Sequence, residues 1–170
     1  MTGPAYKSDA WKQLVETKME EWIQDPFAIQ WVHDYCDLTE FFDDLYDHDW
    51  NDPNDPDKAI DRAYILRTLD QALVDMPGNP FFLANAGRLI PCIIAGIRAW
   101  RQSCALEHNP TEHNLHYAFV LRSVYMQIIE EVVEIVRGRD VARQIAPEIH
   151  ALFAKETFAE YRKEFNVQIP

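Results

Sequence analysis

A chain of 170 residues with 48% hydrophobic and 12% aromatic content is long enough to bury one compact core, and predicts a single domain spanning 1–170. Its 28 acidic residues against 16 basic ones give a formal charge of −12. That balance argues against direct binding to nucleic acid or to an anionic membrane, because phosphate needs a basic patch.

The repeated dipeptides Asp25-Pro26, Asp52-Pro53, Asp55-Pro56, Asn79-Pro80 and Asn109-Pro110 read as helix starts. An Asx side chain accepts from a free amide of the first turn, and proline there loses no hydrogen bond. Between them the apolar spacing is three and four, with no sustained strand-like alternation. The predicted elements are helix 1 over 8–24, helix 2 over 26–50, helix 3 over 56–76, helix 4 over 80–106, helix 5 over 110–137 and a final helical stretch over 140–165. Gly138 should stop helix 5 with a left-handed cap, Pro91 should kink or break helix 4, and Pro147 should open a new helix after a short turn.

Helix 4 is apolar almost all round over 81–100, where only Asn85, Arg88 and Arg98 are polar. The expected architecture is therefore all-α, a bundle of about six helices around this central apolar helix. Its length matches a bilayer, but Arg88 near its middle and Arg98 near its end point to a buried soluble helix instead. A guanidinium in such a helix requires a carboxylate or carbonyl partner, so Arg88 is expected in a structural ion pair or at an anion site.

The cysteines Cys36, Cys92 and Cys104 form no CxxC pair and read as small buried apolar residues of a reducing compartment. The opening MTGPAYKSDAWKQ lacks the basic and apolar regions of an export signal, so the expected location is the cytoplasm.

The acid-rich stretch FFDDLYDHDWNDPNDPDKAIDR over 41–62 raises the question of a metal site. At about 100° per residue, Phe27, Trp31, Leu38, Phe41, Phe42 and Leu45 share one broad face of helix 2, and Glu40, Asp43, Asp44 and Asp47 gather opposite it. Asp47, Asp49 and Asn51 match the first ligands of an EF-hand loop, but Asp52 stands where glycine is needed and Lys58 where the bidentate glutamate belongs. All-helical nucleotide pyrophosphohydrolases of the MazG and dimeric dUTPase type hold magnesium on ExxE and ExxD segments. Glu40 with Asp43, and Glu131 with Glu134, repeat that internal spacing, although the two pairs lie far apart in the chain and Glu130 and Glu134 project opposite the apolar stripe of Leu121, Tyr125, Ile128 and Val132. Magnesium is the cofactor only on this alternative; otherwise none is expected. His108, His113 and His116 read as exposed residues of a polar helix start, and the doublets His33-Asp34 and His48-Asp49 do not build a phosphohydrolase metal site.

The segments NPFFLANAGRLIPCIIAGIRAW and HYAFVLRSVYMQIIEEVVEIVRG, within 79–138, resemble small helical proteins encoded by tailed phages and prophages. The resemblance implies a viral accessory or assembly role in a host cytoplasm and assigns no residue a function. The reading from the residues is an interaction protein that binds a protein partner or itself. Trp11 and Trp22 on the stripe of helix 1, with Trp50 in the polar loop, are its expected interface anchors. A magnesium-dependent pyrophosphohydrolase is the alternative, and an acidic mimic of DNA inhibiting a nucleic-acid enzyme is a second one.

Overall fold

A computed structural model describes residues 8–47, 62–153 and 156–165, and every regular element among them is helical. The elements are α1 (Asp9–Ile23), α2 (Pro26–Asp47), α3 (Arg62–Asp70), α4 (Pro80–Glu107), α5 (Glu112–Arg122), α6 (Gln127–Arg137), α7 (Arg139–Phe153) and α8 (Phe158–Tyr161). α3 runs on through a π turn, Gln71–Asp75, and a last α turn, Met76–Gly78. A 3-10 turn, Ser123–Met126, separates α5 from α6 where one continuous helix was expected. There the Ser123 hydroxyl turns back 2.8 Å onto the Val120 carbonyl, competing with the helical ladder.

The all-α prediction holds, whereas the contacts gather into two compact units, Asp25–Ala86 and Met1–Gln24 with Gly87–Pro170. In the latter, α6 supplies Ile128, Ile129, Val132 and Val133, α7 supplies Ala142, Ile149 and Phe153, and α1 supplies Val15, Met19, Trp22 and Ile23, all buried. Arg137 ties two of these helices together. Its guanidinium donates to the Glu21 and Trp22 carbonyls at 2.8 and 3.1 Å, satisfying acceptors that the end of α1 leaves open. A smaller cluster of Leu115, Ala118 and Tyr161 is covered by Leu106, Phe119, Phe158 and Phe165. In the unit Asp25–Ala86, Trp31 is the centre, stacked on Tyr35 and Phe82 at centroid distances of 5.8 and 5.6 Å.

Local side-chain caps account for several helix starts. Ser8 accepts from the Trp11 amide, and Asp25 accepts from the Ala28 amide at 2.8 Å. Asn79 does both jobs of a junction: its oxygen accepts from the Phe81 amide at 2.8 Å and its amide donates to the Phe27 carbonyl at 3.0 Å. The Asn109-Pro110 site departs from expectation, because Thr111 caps α5 by accepting from the Asn114 amide. Asp52 and Asp55 lie outside the described residues.

Pro147 does not open a new helix, and Pro91 does not break its own; both stay inside their helices. The carbonyl that Pro91 frees belongs to Gly87, and both residues are exposed, so water can satisfy that acceptor. Gly138 has a positive φ of 91° but a ψ of 162°, an extended glycine-only conformation rather than the left-handed cap. The left-handed residue is Gln24, at φ 63° and ψ 10°. A side chain in that region carries strain that glycine lacks, so Gln24→Gly is expected to raise stability by about 0.5–1 kcal/mol, read as a higher denaturant midpoint. An unchanged or lower midpoint would show that the Gln24 side chain, which donates to the Glu21 carbonyl, offsets the strain.

α4 is one long helix, as expected, but it is not the wrapped centre of the bundle. Leu89 is fully buried, while Ile90, Ile94 and Ile97 are 44, 42 and 51% exposed. α2 also faces another way from its predicted register. Ala28, Trp31, Val32, Asp34, Tyr35 and Phe41 turn inward, whereas Phe27, Phe42 and Leu45 are exposed. The cause is the pairing with α3, in which Phe41 meets Tyr64 edge to face at 5.3 Å. Buried Asp34 meanwhile accepts from Gln30 and from Gln71 of the π turn, each at 3.0 Å. A satisfied buried carboxylate at this contact selects a face that apolar spacing alone does not mark.

Tyr161 supplies a pH test of the smaller cluster. It is fully buried and donates to Glu107, whose carboxylate lies 3.7 Å from Arg122. Burial first, and then the hydrogen bond and charge of Glu107, push its hydroxyl far above the ordinary 10.0. The folded value exceeds the unfolded one, so this stabilisation is complete below pH ~10 and is lost as pH rises beyond it. Urea unfolding is expected to show a steeper loss between pH 8 and pH 11 in the wild type than in Tyr161→Phe. Parallel losses would sink this assignment. At neutral pH the variant should cost about 1–3 kcal/mol.

Candidate functional site

The polar centre of the larger unit is a cleft of about 530 Å³ between α4, α6 and α7, with Cys92, Glu130, Glu131, Glu134, Arg143 and His150 among its walls. The stripe that buries Ile128, Ile129, Val132 and Val133 leaves the acids of α6 on the cleft side. Arg88 reaches them from α4, donating from Nε to Glu131 at 2.6 Å and from Nη2 to Glu134 at 3.1 Å. The hydrogen bond to Glu131 and its charge hold the guanidinium proton more firmly than usual. Arg139 also lies 3.4 Å from Glu134, and His150 Nε2 lies 2.7 Å from Glu130.

Arg88 is thus in an ion pair, but on a half-exposed turn instead of a buried one. Cys92 is half-buried in the cleft wall. Burial, and then the neighbouring Glu131 carboxylate, push its thiol upward, which keeps it protonated and weakly nucleophilic. The acids of the cleft are therefore already engaged, Glu131 and Glu134 by guanidinium groups and Glu130 by His150.

The other predicted ligands stand elsewhere. Glu40, Asp43 and Asp44 are partly buried on α2, in the unit Asp25–Ala86. Their expected placement opposite the core is corrected: all three are partly buried, and Glu40 and Asp44 lie close enough to Tyr64 of α3 to act on its hydroxyl. Burial, followed by the charges of Asp44 and Glu40, raises the Tyr64 hydroxyl. The side chain of Asp47 and the rest of the EF-hand-like loop through Lys58 lie outside the described residues. The histidines are bound locally: His108 and His116 contact the Cys104 and Glu112 carbonyls at 2.7 and 2.8 Å, and His116 stacks on Phe158. Among the described residues no group of three or more His, Cys, Asp or Glu side chains is arranged to hold a metal ion.

The tryptophan anchors need correction as well. Trp22 is 1% exposed and belongs to the core of its own chain. Trp11 is half-buried, its ring edge-on to Phe153 at 6.1 Å and its indole nitrogen donating to the Leu152 carbonyl at 3.4 Å. The stripe of helix 1 packs on α6 and α7, which leaves no aromatic surplus there; Trp50 lies outside the described residues.

The large apolar side chains left exposed include the aromatics Phe27, Phe42, Tyr46 and Tyr117 and two runs of aliphatic ones. On α4 the open face is Ile90, Ile94 and Ile97, at spacings of four and three, with Arg98 and Arg101 exposed beside it. On α3 and its π turn the open face is Ile65, Leu66, Leu69, Leu73 and Val74. Neither was picked out in the sequence, because a leucine or isoleucine stripe reads as core whether its own chain or another molecule covers it. α4 is also long and apolar enough, by length and composition, to cross a bilayer.

Comparison with protein-family models, with curated proteins and with solved structures returned no match. The class that fold and surface define is an acidic, all-helical protein with open aliphatic helix faces.

Proposed function

We propose that the chain is a non-enzymatic interaction protein, an assembly or accessory subunit that docks a protein partner through exposed aliphatic helix faces. The observation that carries this reading is the open stripe Ile90, Ile94 and Ile97 on the longest helix among the described residues. Three large apolar side chains at helical spacing form a seam that a partner helix or groove can cover. Arg98 and Arg101 border the seam, so the partner's apolar surface should carry a rim of carboxylates. The likeness to phage-encoded helical proteins is compatible with such a role in a host cytoplasm. The engagement of Glu131 and Glu134 by Arg88 favours this reading over magnesium-dependent hydrolysis.

The test places a photo-crosslinking amino acid at position 94 in cells that make the protein. A discrete protein adduct is expected. The partner so identified, once purified, should bind Ile94→Glu at least about ten-fold more weakly than wild type with helicity unchanged. Adducts with lipid alone, together with flotation of the wild type on vesicles, would replace the reading by a membrane one. Equal binding of the variant would remove α4 as the docking face.

A further inference from the structure

We propose that one face of α5 is a receptor for a partner's helical segment that carries two aromatic side chains three positions apart and an arginine directly after the second. This chain keeps the receptor closed with its own segment Glu156–Phe165, which supplies that pattern as Phe158, Tyr161 and Arg162. The contact is autoinhibitory, because the segment has to lift before a partner's helix can enter. It does not depend on the aliphatic stripe of α4.

The receiving face carries Glu112, Leu115, His116, Phe119 and Arg122, spaced three and four apart along α5. Against it sits the short turn α8, continued by a 3-10 turn, Arg162–Phe165. A capping box opens α8: Thr157 accepts from the Glu160 amide and Glu160 accepts from the Thr157 amide, which favours the helical form before any docking. Phe158 stacks on His116 with centroids 3.7 Å apart and meets Phe119 edge to face at 5.6 Å. Tyr161 goes deepest, fully buried with Leu115 and Ala118, and the Arg122 guanidinium lies over its ring at 5.4 Å. Its hydroxyl donates to Glu107, and Arg162 closes the rim on Glu112 at 3.3 Å. Aromatic anchors in an apolar slot with a charged rim are how a groove holds an amphipathic helix.

The segment is separable from the rest of its unit. Among the described residues its buried cluster draws on α4, α5 and the segment itself, and on no side chain of α1, α6 or α7. Those three helices bury Met19, Trp22, Ile129, Val133 and Ile149 without it. Lifting the segment therefore uncovers Leu115, Ala118 and Phe119 while the larger core stays covered, which is the condition for a local opening that costs less than global unfolding. The polar fittings set the chemistry of the helix that replaces it. Glu107 accepts from a hydroxyl, so it favours tyrosine over phenylalanine at the second aromatic position, and Glu112 favours an arginine after it. His116 offers a flat ring to the first aromatic side chain.

Titrating the nitrogen-15-labelled full chain with a synthetic peptide of residues 156–165 tests this by NMR. In Tyr161→Ala the chain's own segment loses its anchor, so the amides of Leu115, His116 and Phe119 are expected to shift as peptide is added. In the wild type the groove is filled, and the apparent affinity should be at least about ten-fold weaker. A peptide that itself carries Tyr161→Ala should shift neither protein. Phe158→Ala is a second opened variant should Tyr161→Ala fail to fold, and circular dichroism matching the wild type qualifies each. Hydrogen exchange of the wild type gives an independent reading: residues 158–165 should exchange at least about ten-fold faster than the protected amides of α6, through an opening that leaves α6 closed. Absence of shifts in the folded variants overturns the proposal, as does a wild type that binds the peptide as tightly as they do. Exchange of the segment and α6 in one shared opening would make the segment part of the core and overturn it as well.

Discussion

Truncating Leu89 to alanine is expected to cost about 2–5 kcal/mol, while Ile94→Ala, five positions along the same helix, should cost the isolated chain less than about 1 kcal/mol. Leu89 is fully buried, so its loss removes transfer free energy and leaves a cavity that the surrounding helices fill only in part. Ile94 is 42% exposed and already touches water over much of its surface. The two substitutions delete the same number of carbons from the same helix, and since the helix propensities of leucine and isoleucine differ by only about a few tenths of a kcal/mol, the environment is the main difference. Denaturant unfolding of the two variants measures the contrast directly. Equal large costs would mean that Ile94 is covered in solution, and a concentration-dependent cost for Ile94→Ala alone would mean that another molecule covers it.

The unit Asp25–Ala86 should depend as strongly on Trp31. Its indole is fully buried, stacked on Tyr35 and Phe82 and tilted 54° against Phe81 at 6.4 Å. Replacing it by alanine is expected to cost about 3–5 kcal/mol, since no neighbouring side chain is large enough to fill the space. Trp31→Phe should cost distinctly less than Trp31→Ala. The buried indole nitrogen has no hydrogen-bond partner, so phenylalanine loses area but also removes an unsatisfied donor. Calorimetry on both variants reads the order of the two costs. A phenylalanine as damaging as alanine would mean that the indole N–H has a partner in solution.

The helices, their approximate bounds and several of their caps were legible in the sequence. Ser8, Asp25 and Asn79 act within one turn of their own position, and such contacts depend only on residues adjacent in the chain. The ion-pair requirement of Arg88 was legible for a similar reason, because a guanidinium on an apolar helix needs a carboxylate wherever the helix lies. Its partners Glu131 and Glu134, 43 and 46 residues away, were not. The inward stripes of α1 and α6 were legible, whereas the faces that α2, α3 and α4 turn inward were not. Trp22 and Trp31 went into cores; Ile94 and Leu69 stayed out, although all four belong to apolar stripes. Helical spacing determines that such residues share a side, and tertiary packing decides what meets that side. On α2 the decision fell to Asp34 with Gln71 and Phe41 with Tyr64, pairs separated by many residues, and on α3 it left the aliphatic stripe to the outside. Hydrophobic burial is non-directional: the gain from covering Leu69 is the same whether the cover comes from this chain or from another molecule, so composition and spacing carry no sign that distinguishes a core from an interface.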